Sequence, residues 1–351
     1  MGLAKGGATH HFRYEVARMK QMKEPQPIED AAAQILADDP DPVVRFCLLR
    51  GVLRKPIDSL EVVQARRDLS RSRWVQELEV EQWSDGSWGR LHTMDTRAKQ
   101  SIPTTEVGVG RAIALGLDAG HPVLRRASRY LTGVLETGEC RDGAEKNDRW
   151  ATGVRLFAAA TLAQIEPDLP ALDEAWHLWV SIAERTFESG EYDPEAEIHV
   201  HRELTGASVK SSYLVLTNRY AVCLLGSRTA QLPVETERAL VTWVWHKEEG
   251  IGYLDATPSR VPPPLARGPL DRWFASHELL SAFPSWRKLA GDVIDWLWAQ
   301  RNEWGFWDFG PRSDWSASLP LSENWRRKQS RQHDWSARVL ALLGRYHDRE
   351  Q

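Results

Sequence analysis

The apolar positions of this chain recur at intervals of three and four residues, which is the pattern of amphipathic helices. It is clearest in Ala- and Leu-rich stretches such as RWATGVRLFAAATLAQ from residue 149 and HDWSARVLALLGRY from residue 333. No stretch alternates apolar and polar residues convincingly enough to indicate a strand. The pattern therefore predicts an all-α protein whose helices run for about 12–16 residues.

Short glycine-containing turns interrupt these helices at intervals of 52, 52, 60 and 55 residues, which indicates an internal repeat. A glycine just past the end of a helix supplies the left-handed residue that ends it. A small hydroxyl residue stands near the start of the next Ala/Leu-rich helix, where its oxygen can cap free amides. The leading glycines are Gly86, Gly138, Gly190, Gly250 and Gly305, and the hydroxyl residues are Thr105, Thr152, Ser212, Ser276 and Ser336.

Each repeat is predicted to be a pair of helices, and an earlier pair before the first turn adds a sixth unit. The last unit shows one helix, and residues 26–37 can fill the gap beside it. Six hairpins that close on themselves form an (α/α)6-type toroid with a central cavity. An open solenoid is the alternative, but its repeats are usually shorter, about 34–47 residues. We therefore expect a single toroid domain over 26–351 after an N-terminal extension, 1–25.

Composition excludes several classes of protein. Charged residues make up 27% of the chain and the net charge is −4, with no long basic block that would bind nucleic acid. No run of about 18 apolar residues predicts a membrane span, although peripheral membrane contact stays open. Three widely spaced cysteines and the lack of a signal-like N-terminus indicate the reducing cytoplasm. The oligomeric state is not determined by these features.

Two turns resemble a known sequence motif. The patterns Gln82-x3-Gly86-x-Trp88 and Gln300-x4-Gly305-x-Trp307 resemble the QW repeats of squalene–hopene and oxidosqualene cyclases. The wider pattern, over roughly residues 40–346, resembles the toroids of terpenoid cyclases and protein prenyltransferases. The resemblance implies that these Gln and Trp residues join helices, so VEQWSDGSWGR at 80–90 is expected to be a structural clasp. A rigid aromatic ring after a tight turn supports the same interpretation.

The motifs that perform chemistry in that superfamily are absent. There is no D-x-D-D; Asp38, Asp39 and Asp41 come closest and are better suited to cap the helix that follows. D-D-x-x-D fails because Pro42 occupies the last position. No cysteine has an aspartate two positions before it, so the Asp-x-Cys zinc site is not supported. We therefore expect no cofactor and no structural metal.

Candidate site residues come from the turns and loops at one rim. Tryptophans between 304 and 335 that fit no helical period are expected to line a cavity mouth, with an acid beneath them. The 190–211 loop alternates Glu and His, so in an extended segment His199 and His201 could chelate a metal; a solvated charged hairpin is the alternative. The catalytic candidates are Asp308, followed by His333 and Asp334, and the substrate-binding candidates are Trp304, Trp315, Trp325, Tyr192 and His92.

Three functions fit these features. The first is a terpenoid-cyclase-like enzyme that cyclises or isomerises an apolar isoprenoid by acid catalysis, without D-x-D-D. The second is a carbohydrate-active lyase or hydrolase, with Tyr192, His199 and Asp308 as acid–base candidates. The third is a non-catalytic toroid that binds a hydrophobic ligand. The analogy of fold and the tryptophans favour the first.

Overall fold

The computed structural model describes residues 25–209, 213–261, 269–311 and 318–348, and the protein is all-helical. Within this part of the chain there is no strand, and an isolated bridge joins Asn218 to Gly252. A π-helical segment, Leu48–Val52, continues α2, and short 3-10 turns lie at Pro170–Leu172 and Thr229–Gln231. The α-helices are α1 Pro25–Ala37, α2 Pro42–Cys47, α3 Leu60–Leu69, α4 Arg73–Glu81, α5 Thr105–Ala114, α6 Pro122–Thr137, α7 Trp150–Ala163, α8 Asp173–Thr186, α9 Pro194–Thr205, α10 Arg219–Gly226, α11 Val234–His246, α12 Pro269–Leu280, α13 Trp286–Leu289, α14 Gly291–Ala299 and α15 Lys328–His347.

Helices that are adjacent in sequence pack on one another. Helices α2 and α3, α6 and α7, and α8 and α9 contact one another. A second set of contacts runs from α5 to α7, from α7 to α10 and from α10 to α12. The C-terminal helix α15 packs on α1 and α2, so the two ends of the described chain lie together.

The stretch 80–90 is a clasp between helices. Trp88 is fully buried and its indole Nε1–H donates to the carbonyl of Leu78 in α4 at 3.1 Å. The backbone N–H of Trp88 donates to the hydroxyl of Thr105 at the start of α5, also at 3.1 Å. The Gln82 amide donates to the carbonyls of Gly86 and Val123, each at 2.9 Å, which extends the clasp to α6.

The last turn repeats this geometry with different residues. Trp307 is also fully buried, and its indole donates to Leu297, ten residues earlier, as Trp88 does to Leu78. Its backbone N–H donates to the hydroxyl of Ser336 at 3.0 Å. Arg301 takes the position of the clasp glutamine, since its Nε donates to the carbonyl of Gly305 four residues later at 2.7 Å. The sequence pattern matched Gln300 to Gln82, whereas in the structure the next residue, Arg301, makes the equivalent contact.

All five leading glycines adopt the left-handed conformation, with φ between +67° and +94°. Gly138 is the C-cap of α6, which agrees with the prediction from sequence. At Gly86 the requirement is also steric, because an added Cβ would overlap the backbone carbonyl of Arg126. No described atom other than its own chain neighbours lies within 4 Å of a Cβ built on Gly138.

Two local predictions from sequence are wrong. Thr105 and Ser336 do not cap their own helices, because their hydroxyls accept the amides of the clasp tryptophans. The cap of α5 is Thr104, and α15 begins at Lys328, eight residues before Ser336. The segment 190–211 is not extended either, since most of it forms α9 after the Asp193 cap and Pro194. Ser212 lies outside the described residues.

We predict that Trp88→Ala and Trp307→Ala each lower the free energy of unfolding by about 3–5 kcal/mol, because a large buried aromatic is removed. A buried carbonyl of the preceding helix also loses its donor. Chemical denaturation of the two variants measures the effect. The exposed Trp83 supplies the control, since Trp83→Ala should change stability far less. Equal effects of all three substitutions would contradict the clasp interpretation.

We predict that Gly138→Ala lowers the free energy of unfolding by about 1–2 kcal/mol, the strain of an L-residue in the left-handed region. Gly86→Ala should add about 1–3 kcal/mol to that loss, because its Cβ meets the Arg126 carbonyl. Denaturant titration of the pair separates strain from overlap. Equal losses for the two variants would show that the close approach of α6 has no energetic weight.

Candidate functional site

A hydrogen-bonded cluster joins three polar side chains from distant parts of the chain. Tyr220 donates its phenolic O–H to Oε2 of Glu106 at 2.7 Å. Nδ1 of His92 lies 3.3 Å from the same oxygen and 3.1 Å from the Tyr220 hydroxyl. One carboxylate oxygen thus holds both an imidazole and a phenol.

Aromatic rings enclose this cluster. The His92 ring stacks on Phe157, with centroids 4.1 Å apart, and Tyr253 meets it edge-on at 5.9 Å. Phe157 also packs against Tyr220 at 4.6 Å and against Tyr213 at 5.6 Å. The walls around the acid–base groups are therefore aromatic faces and edges, which suit a ligand with both apolar faces and hydroxyls.

The local structure explains why His92 is in place. Its loop follows the Trp88 clasp, and the backbone amides of Leu91, His92 and Thr93 all donate to the carboxylate of Asp142, at 2.6, 3.1 and 2.6 Å. Asp142 is buried and belongs to the turn of the next repeat. The loop is therefore fixed by an acceptor some fifty residues away in sequence.

Glu106 and Tyr220 are positioned by helix caps. Glu106 is in the first turn of α5, directly after the Thr104 cap. Tyr220 is in the first turn of α10, where its own amide donates to the Asn218 side chain at 2.8 Å. The two helix starts bring the acid and the phenol together.

Tyr253 contributes a strained backbone. Its φ is +70°, in the left-handed region that bulky side chains rarely adopt. Its side chain meets His92 and Tyr220, yet 45% of the residue is exposed. Strain of this kind concentrates at functional sites, and here it places a phenol at the open side of the cluster.

Burial and the nearby carboxylate of Glu106 favour the neutral, protonated form of Tyr220 and Tyr253. Burial and the negative charge of Glu106 raise the pKa of Tyr220 well above its ordinary value. Burial and Glu106 also raise the pKa of Tyr253. Both phenols are therefore protonated at neutral pH and can donate protons. When His92 carries its proton on Nδ1, facing Glu106, its Nε2 lone pair is left to accept one.

Asp308, the first catalytic candidate from the sequence, forms an ion pair with Arg331. Its two carboxylate oxygens accept from Arg331 at 2.8 and 3.0 Å, and Oδ1 also accepts the amide of Gly310 at 2.9 Å. These contacts hold the turn against α15. Asp308 does not contact the residues of the His92 cluster, and both of its carboxyl oxygens accept from Arg331.

Asp334 and His333 lie on α15. Asp334 is fully buried and accepts the amides of Leu321 and Ser322 and the Ser322 hydroxyl. Burial raises the pKa of Asp334 to about 7, although these hydrogen bonds oppose the shift. His333 is buried too, with Nε2 3.4 Å from Oδ2 of Asp38, and burial lowers its pKa.

The substrate-binding candidates are dispersed. Trp304 is 66% exposed at the tip of the last clasp turn. Trp325 is half-buried against the hydrophobic core, and Trp315 lies outside the described residues. Tyr192 stacks on Trp243 at 3.7 Å and donates to Glu197, beside a groove of about 1000 Å³. Among these candidates, His92 is the one in the cluster.

Sequence reasoning missed Glu106, Tyr220 and Tyr253, and also Arg219, which directly precedes Tyr220 in the first turn of α10. A glutamate in a first helical turn indicates a favourable helix dipole, so Glu106 gave no functional signal. The other three lie near the starts of helices or in turns, where their convergence depends on packing. The Asn218 cap was the available clue to where α10 begins.

The two histidines of α9 do not converge. His199 is exposed and lies 3.6 Å from Glu203, one turn later. His201 is fully buried beside Trp179, with ring centroids 5.2 Å apart. Over residues 25–209, 213–261, 269–311 and 318–348, no group of three His, Cys, Asp or Glu side chains could hold a metal ion.

No helix in the described part of the chain is both long and apolar enough to cross a membrane. No protein-family model, no curated protein and no solved structure matches this chain.

We predict that His201 makes the protein sensitive to acid. Burial lowers its pKa to about 4 from an ordinary 6.5, so protons bind the unfolded chain more readily than the folded one. Its contribution to stability is present above about pH 6.5 and is lost as the pH falls towards 4. His201→Phe keeps a ring against Trp179 and should reduce the loss of unfolding free energy between pH 7 and 4.5 by about 2–3 kcal/mol.

Urea titration at the two pH values measures this difference. The matched control is His199→Phe, two residues earlier on the same helix, where the ring is exposed and the pH dependence should stay that of the parent. An unchanged pH dependence in His201→Phe would contradict the prediction.

Proposed function

We propose that the protein is an enzyme that performs acid–base chemistry on a polar, hydroxylated ring compound of the carbohydrate class. The observation that supports this most directly is the sharing of one Glu106 oxygen by His92 and Tyr220. A base oriented by a carboxylate, next to a neutral proton donor, is the minimum set for proton transfer in two directions.

Each residue has a defined role in this proposal. Glu106 fixes the imidazole so that Nε2 of His92 accepts a proton from the substrate. Tyr220, whose pKa is raised, donates a proton to the leaving oxygen. Phe157 and Tyr253 supply ring faces and edges on which the apolar face of a sugar can pack.

The proposed scaffold is a toroid, and its inner layer can be traced through contacts. Helices α5, α7, α10 and α12 contact in that order. Arg338 of α15 forms ion pairs with Asp271 and Glu278 of α12. Helix α15 contacts α2, and the thiol of Cys47 in α2 donates to the carbonyl of Ala114 in α5 at 3.8 Å. These links support a closed ring of six helices, to which α5, α7 and α10 bring the cluster.

A terpenoid-cyclase-like activity is the second candidate, and it depends on Asp334. A buried carboxyl whose pKa is raised to about 7 is protonated often enough to act as an acid. In that proposal His333 and Asp308 assist, and Trp304, Trp315 and Trp325 contact an apolar isoprenoid. A toroid that binds such a ligand without turning it over is the related alternative. Binding of farnesol, followed by intrinsic tryptophan fluorescence, tests both.

We predict that the purified protein releases products from at least one member of a panel of neutral and acidic polysaccharides. His92→Ala and Glu106→Gln should each lower kcat by about 10²- to 10⁴-fold, because proton transfer loses its acceptor or the group that orients it. Measurement of chain ends with time gives the rates, and circular dichroism shows that the variants fold.

The matched controls are His199→Ala and Glu203→Gln, a histidine–glutamate pair of the same kind on the exposed face of α9. Both should turn over substrate at the parent rate. Full activity in His92→Ala would refute the proposed site. Farnesol binding together with complete inactivity on every polysaccharide would favour the isoprenoid alternative.

A further inference from the structure

We propose that the substrate of the His92 cluster carries a carboxylate that Arg219 binds, so that the enzyme cleaves uronate-containing polysaccharides by β-elimination. This inference rests on the proposed function and specifies its substrate class. It follows from the position of a guanidinium group whose hydrogen-bonding capacity is not used by the described part of the protein.

Arg219 precedes Tyr220 in the first turn of α10, and its guanidinium carbon lies 5.2 Å from the centroid of the Tyr220 ring. The side chain is only partly exposed. Over the described ranges, no carboxylate oxygen lies within 4.0 Å of its nitrogens and no residue accepts a hydrogen bond from its guanidinium. A guanidinium has five N–H donors, so its position at the cluster leaves a planar donor array for a ligand.

Other partly buried arginines of the chain are used differently. Arg338 pairs with Asp271 and Glu278, and Arg228 pairs with Asp173 while donating to two carbonyls. These arginines hold helices and loops together. Arg219 has no such structural partner among the described residues, although it is the arginine next to the acid–base groups.

The surroundings keep Arg219 charged. Burial works against its charge, but the negative charge of Glu106 and other ionisable groups nearby outweigh this and raise its pKa. Glu106 is close enough to act electrostatically and already accepts from Tyr220 and is held by His92. A permanently charged, flat array of donors matches a carboxylate better than it matches a neutral hydroxyl.

The reaction consumes neither water nor an oxidant. Arg219 binds the uronate carboxylate and makes the C–H beside it more acidic. Nε2 of His92 removes that proton, and the electron pair forms a double bond to the next carbon as the bond from that carbon to the glycosidic oxygen breaks. Tyr220 gives its proton to the departing oxygen. Nδ1–H of the resulting imidazolium then gives its proton to the Tyr220 phenolate across their 3.1 Å contact, and the proton left on Nε2 is exchanged for one on Nδ1 through solvent before the next turnover.

The experiment compares polygalacturonate, alginate and glucuronan, each with its carboxyl-reduced neutral counterpart. We expect cleavage of at least one acidic polymer and of none of the neutral ones. The new double bond, conjugated to the carboxylate, is read by its ultraviolet absorbance.

Arg219→Gln should raise KM by about 10- to 100-fold, because a charge-assisted hydrogen bond is lost. Arg219→Lys should recover part of the affinity. Arg155→Gln, on an exposed arginine of α7, is the matched control and should behave as the parent.

The outcomes separate the two proposals. Equal cleavage of acidic and neutral polymers, without the ultraviolet signal, would overturn the carboxylate inference and leave the acid–base function standing. Galacturonate binding that is weakened in Arg219→Gln, with no cleavage of any polymer, would support the inference about Arg219 and refute the proposed activity. Parent-like kinetics of a folded Arg219→Gln on an acidic polymer would refute the role of Arg219 directly.

Discussion

The packing of the helices depends on buried clasp tryptophans, each of which donates its indole N–H to a carbonyl of the preceding helix. Trp88 and Trp307 fill the space between helices and donate to carbonyls ten residues earlier, while their own amides donate to hydroxyls of Thr105 and Ser336. Burial of these two rings leaves neither indole N–H unpaired, so it carries no cost for an unsatisfied polar group. The left-handed glycine of each turn makes the reversal sharp enough to deliver the ring.

Buried carboxylates perform the second structural task, which is to hold the loops that follow the turns. Asp142 gathers three amides of the His92 loop, and Asp334 gathers those of Leu321 and Ser322. Glu237 similarly holds Ser285. These acids are fixed by backbone donors, whereas Glu106 is held by an imidazole and a phenol, two side chains that are able to transfer protons. The partners of a carboxylate, more than its burial, separate structural acids from the one at the candidate site.

The sites proposed for the two candidate activities differ in their polar and charged groups. The His92 cluster places an imidazole, a carboxylate, phenols and an arginine among aromatic rings, which suits a ligand with both polar groups and ring faces. The C-terminal part of the chain instead offers Asp308 paired with Arg331, Asp334 bound by backbone amides, and the exposed Trp304. Since carbocation chemistry needs an acid facing an apolar space, the polar cluster agrees better with proton transfer between oxygen, nitrogen and carbon.

The sequence by itself determined the helical class, the repeat and the clasp, because helical periodicity, turn glycines and buried aromatics are local properties of the chain. It also identified His92 as a ligand-contacting candidate. It could not give the rest of the site: Glu106, Tyr220 and Arg219 are separated from His92 by 14, 128 and 127 positions and form no motif. Their meeting depends on how α5 and α10 pack against α7, and on the Asp142 contact that fixes the His92 loop ahead of α5. Tertiary structure alone decided which carboxylate serves the cluster, because long-range packing leaves no periodic trace in sequence.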